Sequence, residues 1–420
     1  MKWLTIFLAA TLFAGTDDTF VLRGVTVHPV TGKDVENASL LVVDGKIAEI
    51  GDAKLKTAKT VKVIEAKGLH VYPGMIDSNT EVGMSEISSV RETSDVSELG
   101  DYKPQLRAAI AVNPASEHIP VIRANGITAA MAVPDGGIIA GQASLMHLDG
   151  WTWEEMAVRI DAAMHLRFPT ISTSSFGPSG FSRASFSEAR RTYDTRLKGL
   201  SEYFERARRY EKAKAAGGAG FKPDLALDAM LPVLAKKVPV MISATRERAI
   251  KDAVAWGEKE GVRIVVAQVR RPGNALALLK EKNIPVILGP TQELPLEEDD
   301  AYDEAFTVPV EVHKAGVKFA FGSFGNQFSR NLPYQAATAV AFGLPYEEAL
   351  KSVTLYPAQI WGVDDRMGSI EKGKWADMIV TDGDPLEVKT SVKRMFIQGK
   401  EVDLESKHTK LYKKYMGRPD

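Results

Sequence analysis

Five segments in the middle of the chain are apolar almost throughout and do not alternate with polar residues. They are Gly126–Val133, Val238–Ser243, Arg263–Gln268, Ile284–Gly289 and Val317–Gly322. A strand of this kind has to be covered on both faces, as in a parallel sheet. Helical patterns over Glu247–Glu260 and Asn274–Lys282 lie between them, and spacings of roughly 20–25 residues fit repeated βα units. The expected fold class is α/β, and the economical closure is a (β/α)8 TIM barrel. Its active site lies at the C-terminal ends of the strands.

The two flanks have a different texture. Ser39–Val43, Asp44-Gly45 and Lys46–Ile50 read as a hairpin, because Asp-Gly supplies the positive φ angles of a tight turn. Val61–Ile64 is a further strand. The same β-rich character returns at Ala376–Val380 and at Met395–Ile397 before Gln398-Gly399-Lys400. The expected organisation is therefore a small β-sandwich built from both ends, residues 18–72 plus 366–405, around a barrel over 73–365. The basic stretch Lys407–Arg418, within a tail over 406–420, reads as a solvated helix.

At 420 residues the chain is long enough for a barrel-sized core plus a smaller domain. A formal charge of −1 gives no basic surface for nucleic acid, and none is expected as a partner. The chain has no cysteine, which excludes thiolate metal ligands, disulfides and a cysteine nucleophile. Residues 1–15 carry a short positive start, Met1-Lys2, and then the apolar run Trp3–Ala14 before Gly15. That pattern reads as a signal peptide, with a periplasmic or secreted protein and no membrane span after cleavage as the expectation. The lack of cysteine agrees with an oxidising compartment.

Three segments carry a family resemblance. Pro73-Gly74-Met75-Ile76-Asp77 resembles the "PGxIDxHxH" opening of the amidohydrolase superfamily. Thr354-Leu355-Tyr356-Pro357-Ala358-Gln359, followed by Gly362, resembles its "TxNPAxxLG". Gly368–Val380 resembles its "GSIExGKxADLVV". Order and spacing match, and the resemblance extends to imidazolonepropionase-like amidohydrolases. The resemblance implies a TIM barrel with a composite β-sandwich, and hydrolysis of non-peptide C–N bonds of amides, lactams or imides. It also implies one or two divalent metals, zinc or iron, on histidines at strands 1, 5 and 6 and an aspartate at strand 8. A bound metal lowers the pKa of water from roughly 15.7 to about 7, and the aspartate moves the proton.

Carried over position by position, that metal site is replaced. The first-strand histidine pair falls on Asn79 and Glu81, the fifth-strand histidine on Ser243, and the sixth on or beside Gln268. The eighth-strand aspartate falls on Phe324, next to Ser323. No strand-4 lysine can be identified. These six residues are the expected pocket floor, with no catalytic residue or metal ligand assigned and no cofactor expected. None of the seven histidines forms an HxH or HxxxH pair. His118, His147 and His165 lie in the barrel portion and are the ones to watch, although a lone histidine is most often a core or surface residue. Arg91–Glu98 reads as a solvated loop or helix start. Asp135-Gly136-Gly137 reads as a tight turn, because no lysine follows to make a phosphate loop.

Three functions follow. The chain is a degenerate, metal-free member that binds a small molecule or partner, an active hydrolase with a rebuilt site, or a non-catalytic subunit. As a subunit it pairs with an intact amidohydrolase paralogue; the partners expected overall are an unidentified small molecule and either a homo-oligomer or that hetero-oligomer. Metal content separates the second reading from the others.

Overall fold

The computed structural model describes residues 18–177, 180–218, 220–295 and 300–418. The expected signal peptide lies outside the described residues. Strands β1 (Phe20–Val27), β2 (Val35–Val43), β3 (Lys46–Asp52), β4 (Lys62–Glu65) and β5 (His70–Pro73) come first. The β2–β3 turn is the expected one: Asp44 and Gly45 sit at φ 49° and 73°. Strand β1 forks. Its first half pairs in parallel with β4, and its last residues pair with β5. Gly24 lies at the fork with φ 74°, where a Cβ would stand 3.2 Å from the backbone of Lys67.

The barrel sheet follows the order β15-β14-β13-β12-β9-β8-β7-β6. Its strands are β6 (Met75–Thr80), β7 (Ile127–Ala132), β8 (Ile139–His147), β9 (Ala157–Arg167), β12 (Val240–Ser243), β13 (Ile264–Val269), β14 (Val286–Leu288) and β15 (Phe319–Phe321). A hairpin of β10 (Ser174–Gly177) and β11 (Gly180–Arg183) and the long helix Phe186–Ala216 come between β9 and β12. The helices Glu247–Glu260 and Ala275–Glu281 stand where the sequence places them.

Alternation along each strand sorts the core. Met241, Val265, Ala267, Ile287 and Ala320 point into the barrel, while Ile242, Val266, Leu288 and Phe321 pack outward with Ile250, Val254 and Leu279 of the helices. Ala358, Trp361 and Val363 join the interior cluster.

One strand departs from the all-parallel expectation. β8 runs antiparallel to both β7 and β9. The cause is local: Gly136 and Gly137 both adopt positive φ, 82° and 71°, and a turn this short can join only antiparallel strands. The tight turn expected at Asp135-Gly136-Gly137 is present, but the reversal of strand direction that it makes was not anticipated.

Strands β16 (Met378–Thr381), β17 (Val392–Ile397) and β18 (Lys400–Val402) return to the first sheet. β16 pairs antiparallel with β5 and gives the order β18-β17-β16-β5-β1-β2-β3. The rings of Phe20 on β1 and Phe396 on β17 are 4.6 Å apart, whereas three ladder steps in a flat sheet would put them roughly 14 Å apart. The sheet is therefore strongly curled. Its free end is fastened by Ile47 N–H to Lys374 O (2.9 Å) and Ala376 N–H to Gly45 O (2.9 Å). The sequence suggested a sandwich; the described strands join as one curled sheet around Phe20, Leu40, Ile47, Met378 and Phe396. The basic tail forms the exposed helix Lys407–Met416, with Lys413 paired to Glu405 at 2.8 Å.

Candidate functional site

The barrel mouth has two sectors. The first is the seam between β6 and β15, which no regular ladder closes. It is closed by Phe324 N–H to Asn79 O (2.8 Å) and Glu81 N–H to Gly325 O (3.3 Å). Side chains reinforce it. Asp77 Oδ1 accepts from the backbone N–H of Asn79 (3.1 Å) and of Ser323 (3.0 Å). Thr80 Oγ1 donates to Gly325 O at 2.6 Å, and Ser323 Oγ lies 2.7 Å from Ser329 Oγ. Asp77 is fully buried and its Oδ2 has no partner. Burial pushes its carboxyl up to about 6 against the pull of these hydrogen bonds.

The second sector is across the mouth, on β9 and β12. Ser243 follows Met241 on the inward face of β12. His165 follows Ala163 on the inward face of β9. The ring of His165 is 5% exposed and doubly tied. Nδ1 lies 2.6 Å from the carbonyl of Pro134, and Nε2 lies 2.9 Å from Ser243 Oγ. A carbonyl only accepts, so Nδ1 carries the proton and Nε2 presents its lone pair to the serine hydroxyl. Burial holds the imidazole below its ordinary pKa, and the charge of Arg167 adds to this; the Pro134 bond and Asp135 oppose it. The ring is thus a neutral base at neutral pH.

The remaining expected residues sit around these sectors. Asn79 is buried, and its Nδ2 reaches Met241 Sδ at 3.9 Å. Ser323 is buried in the seam. Phe324, held at φ 53°, packs its ring on the interior cluster. Glu81 is half-buried, and its carboxyl is pushed up by burial and then by the charge of Asp135. Asp135 in turn pairs with Arg167 at 3.3 Å on the rim. Gln268 is exposed, because a bulge in β13 puts it at φ 60° and turns it to solvent. It does not share the buried floor.

The residues present do not fit the family metal. The strand-end positions offer an amide already in contact with a thioether, a hydroxyl bonded to a histidine, and a phenyl ring. Among the described residues, no group of three or more His, Asp or Glu side chains converges to hold a metal ion. One imidazole with both nitrogens engaged does not make a ligand set.

Of the other two histidines to watch, His118 Nε2 binds Glu86 O at 2.9 Å and pins a loop. His147 Nε2 binds Asp377 Oδ2 at 2.9 Å at the opposite end of the barrel wall. Asp77 and the pairing of His165 with Ser243 were not foreseen. A trace lay in Ala162-Ala163-Met164-His165-Leu166, where one polar residue interrupts an apolar strand near its end.

A barrel sheet beside a sheet built from both chain ends defines the fold, and the comparisons agree with it. The amidohydrolase family model matches residues 70–402, and the chain belongs to that family. The amidohydrolase tasK of Hapsidospora irregularis is 23% identical over 430 residues, covering 89% of this chain and 42% of that protein. An adenine deaminase of Clostridium botulinum is 32% identical over 71 residues, covering 17% and 12%. The chain thus spans less than half the length of these curated relatives. Among solved structures, an amidohydrolase from Thermotoga maritima MSB8 superposes with TM-score 0.76 at 27% identity, covering 91% of this chain and 99% of that one. A molinate hydrolase, at 17% identity and TM-score 0.57 over 93% and 96%, shares the fold.

Proposed function

We propose that this amidohydrolase-family chain works without the divalent metal of its relatives and binds a small polar molecule at the barrel mouth. The observation that carries the reading is the donor set. Asn79, Ser243 and Phe324 stand at positions where the resemblance implies histidines and an aspartate, and each is engaged with a neighbour that a metal would have to displace. Amide and hydroxyl groups with Glu81 beside them suit hydrogen bonding to a neutral or cationic ligand, and the ring of Phe324 adds an apolar face. Elemental analysis of the dialysed protein is the test. Well under one equivalent of zinc, iron or manganese is expected, and a stoichiometric metal that survives dialysis would sink the reading.

We also propose export, from the charged-apolar-small sequence of residues 1–15 and the absence of cysteine. Among the described residues no helix is long and apolar enough to cross a membrane. Sequencing the mature N-terminus is the check; an intact Met1 would refute cleavage.

A further inference from the structure

We propose that Ser243 is a nucleophile activated by His165, so that the mouth carries out acyl transfer from a small ester, thioester or activated amide. The proposal rests on the metal-independent reading of the same site. Three observations support it. Ser243 is at the C-terminal end of β12, the end that opens on the mouth, and the residue is partly exposed. The proton acceptor is already in place, with Nε2 of His165 2.9 Å from Oγ. The base is oriented by a third group, the Pro134 carbonyl, which accepts from Nδ1 at 2.6 Å and fixes the tautomer. Nucleophile, base and orienting acceptor within hydrogen-bond reach of one another are what activates a serine. A purely structural serine could bond as well to a backbone carbonyl, without a neutral imidazole.

The chemistry balances with water as the only co-reactant. Ser243 Oγ attacks the acyl carbon as its proton passes to Nε2. The bond from that carbon to the leaving nitrogen, oxygen or sulfur breaks as Nε2 returns the proton to the leaving atom, and an acyl-serine ester forms. Water then gives a proton to Nε2 and its oxygen to the acyl carbon. The ester bond breaks, the carboxylic acid leaves and the hydroxyl of Ser243 is restored. The Asn79 amide, which contacts Met241 two residues before Ser243 on the same face of β12, is the donor assigned to the carbonyl oxygen. Acidic Glu81 and Asp135 at the rim favour a neutral or cationic acyl compound.

The test uses the full chain and a fluorophosphonate, with which an activated serine forms an O–P bond as fluoride leaves. Mass spectrometry should find one adduct, on the peptide containing Ser243, absent in Ser243→Ala. His165→Gln should slow labelling roughly 100-fold or more, with folding checked by circular dichroism. The pH profile of the unmodified protein supplies a second readout should that variant fail to fold. The charged groups facing His165 are Asp135 and Arg167. With His165 as base the rate should be level from about pH 7.5 to 8.5, because burial keeps the imidazole below its ordinary pKa and it is neutral there. No adduct on the folded protein, labelling that His165→Gln leaves unchanged, or a rate rising tenfold per pH unit across that range would each overturn the proposal. A metal-bearing protein would sink the metal-independent reading whatever the labelling shows, and failed labelling of metal-free protein would sink only the nucleophile.

Discussion

His147 and His165 lie on neighbouring strands of one barrel, are both buried, and have opposite surroundings. His147 ends β8, the strand that runs backwards, and so faces the curled sheet. There its Nε2 meets Asp377 Oδ2 at 2.9 Å, with both side chains 2% exposed, and Asp377 Oδ1 also accepts from Gln398 N–H. This contact fastens barrel to sheet. His165 lies near the end of β9, which runs forwards, so it reaches the mouth and meets a serine hydroxyl and a backbone carbonyl. Strand direction alone decides which histidine is a fastener and which stands beside a reactive group. A carboxylate partner deep in the molecule favours a fixed pair. A hydroxyl partner at an open strand end leaves a lone pair available for proton transfer.

The largest expected effect breaks the fastener. Asp377→Ala should destabilise the protein by about 3–5 kcal/mol, since it strands a buried imidazole and a backbone N–H. Denaturant unfolding measures it, and a cost below about 1 kcal/mol would show that the two histidines are not different in kind.

Asp77 sharpens the contrast on the other side of the mouth. Its folded-state pKa is raised, so the unfolded chain ionises first as pH climbs. Stability should fall between about pH 4 and 6, by about 3 kcal/mol at most. Asp77→Asn keeps an oxygen acceptor for the N–H groups of Asn79 and Ser323, and the melting temperature should then be nearly level over that window. An unchanged slope would place the titration elsewhere.

The smallest effect is expected at Ser243. Its truncation to Ala removes one hydroxyl from a partly exposed residue and should cost about 1 kcal/mol or less in stability. A loss as large as that of Asp377→Ala would make Ser243 a second fastener rather than a poised group.

The curled sheet and the barrel were legible in different degrees. Asp44-Gly45 needs two positive φ angles, so that hairpin was readable from two residues. The apolar runs gave five of the barrel strands, because a strand buried on both faces has no alternation to hide it. The β8–β9 pair was missed. Asp161 and Arg159 break the apolar run of β9, and the reversal depends on a turn whose consequence is a direction, not a propensity. The metal-site positions were readable only through the quoted motifs. Gln268 fell out of the floor because a bulge, invisible in sequence, turned it outward.

The sequence by itself determined the alternation of strand and helix, the joining of both chain ends and the amidohydrolase ancestry, because periodicity, turn residues and motif order are properties of neighbours along the chain. The tertiary structure decided which polar groups meet. His165 and Ser243 are 78 positions apart, and Asp77 and Ser323 are 246 apart. Their contacts depend on strand direction, register and closure of the sheet, and those are fixed only when the whole core packs at once.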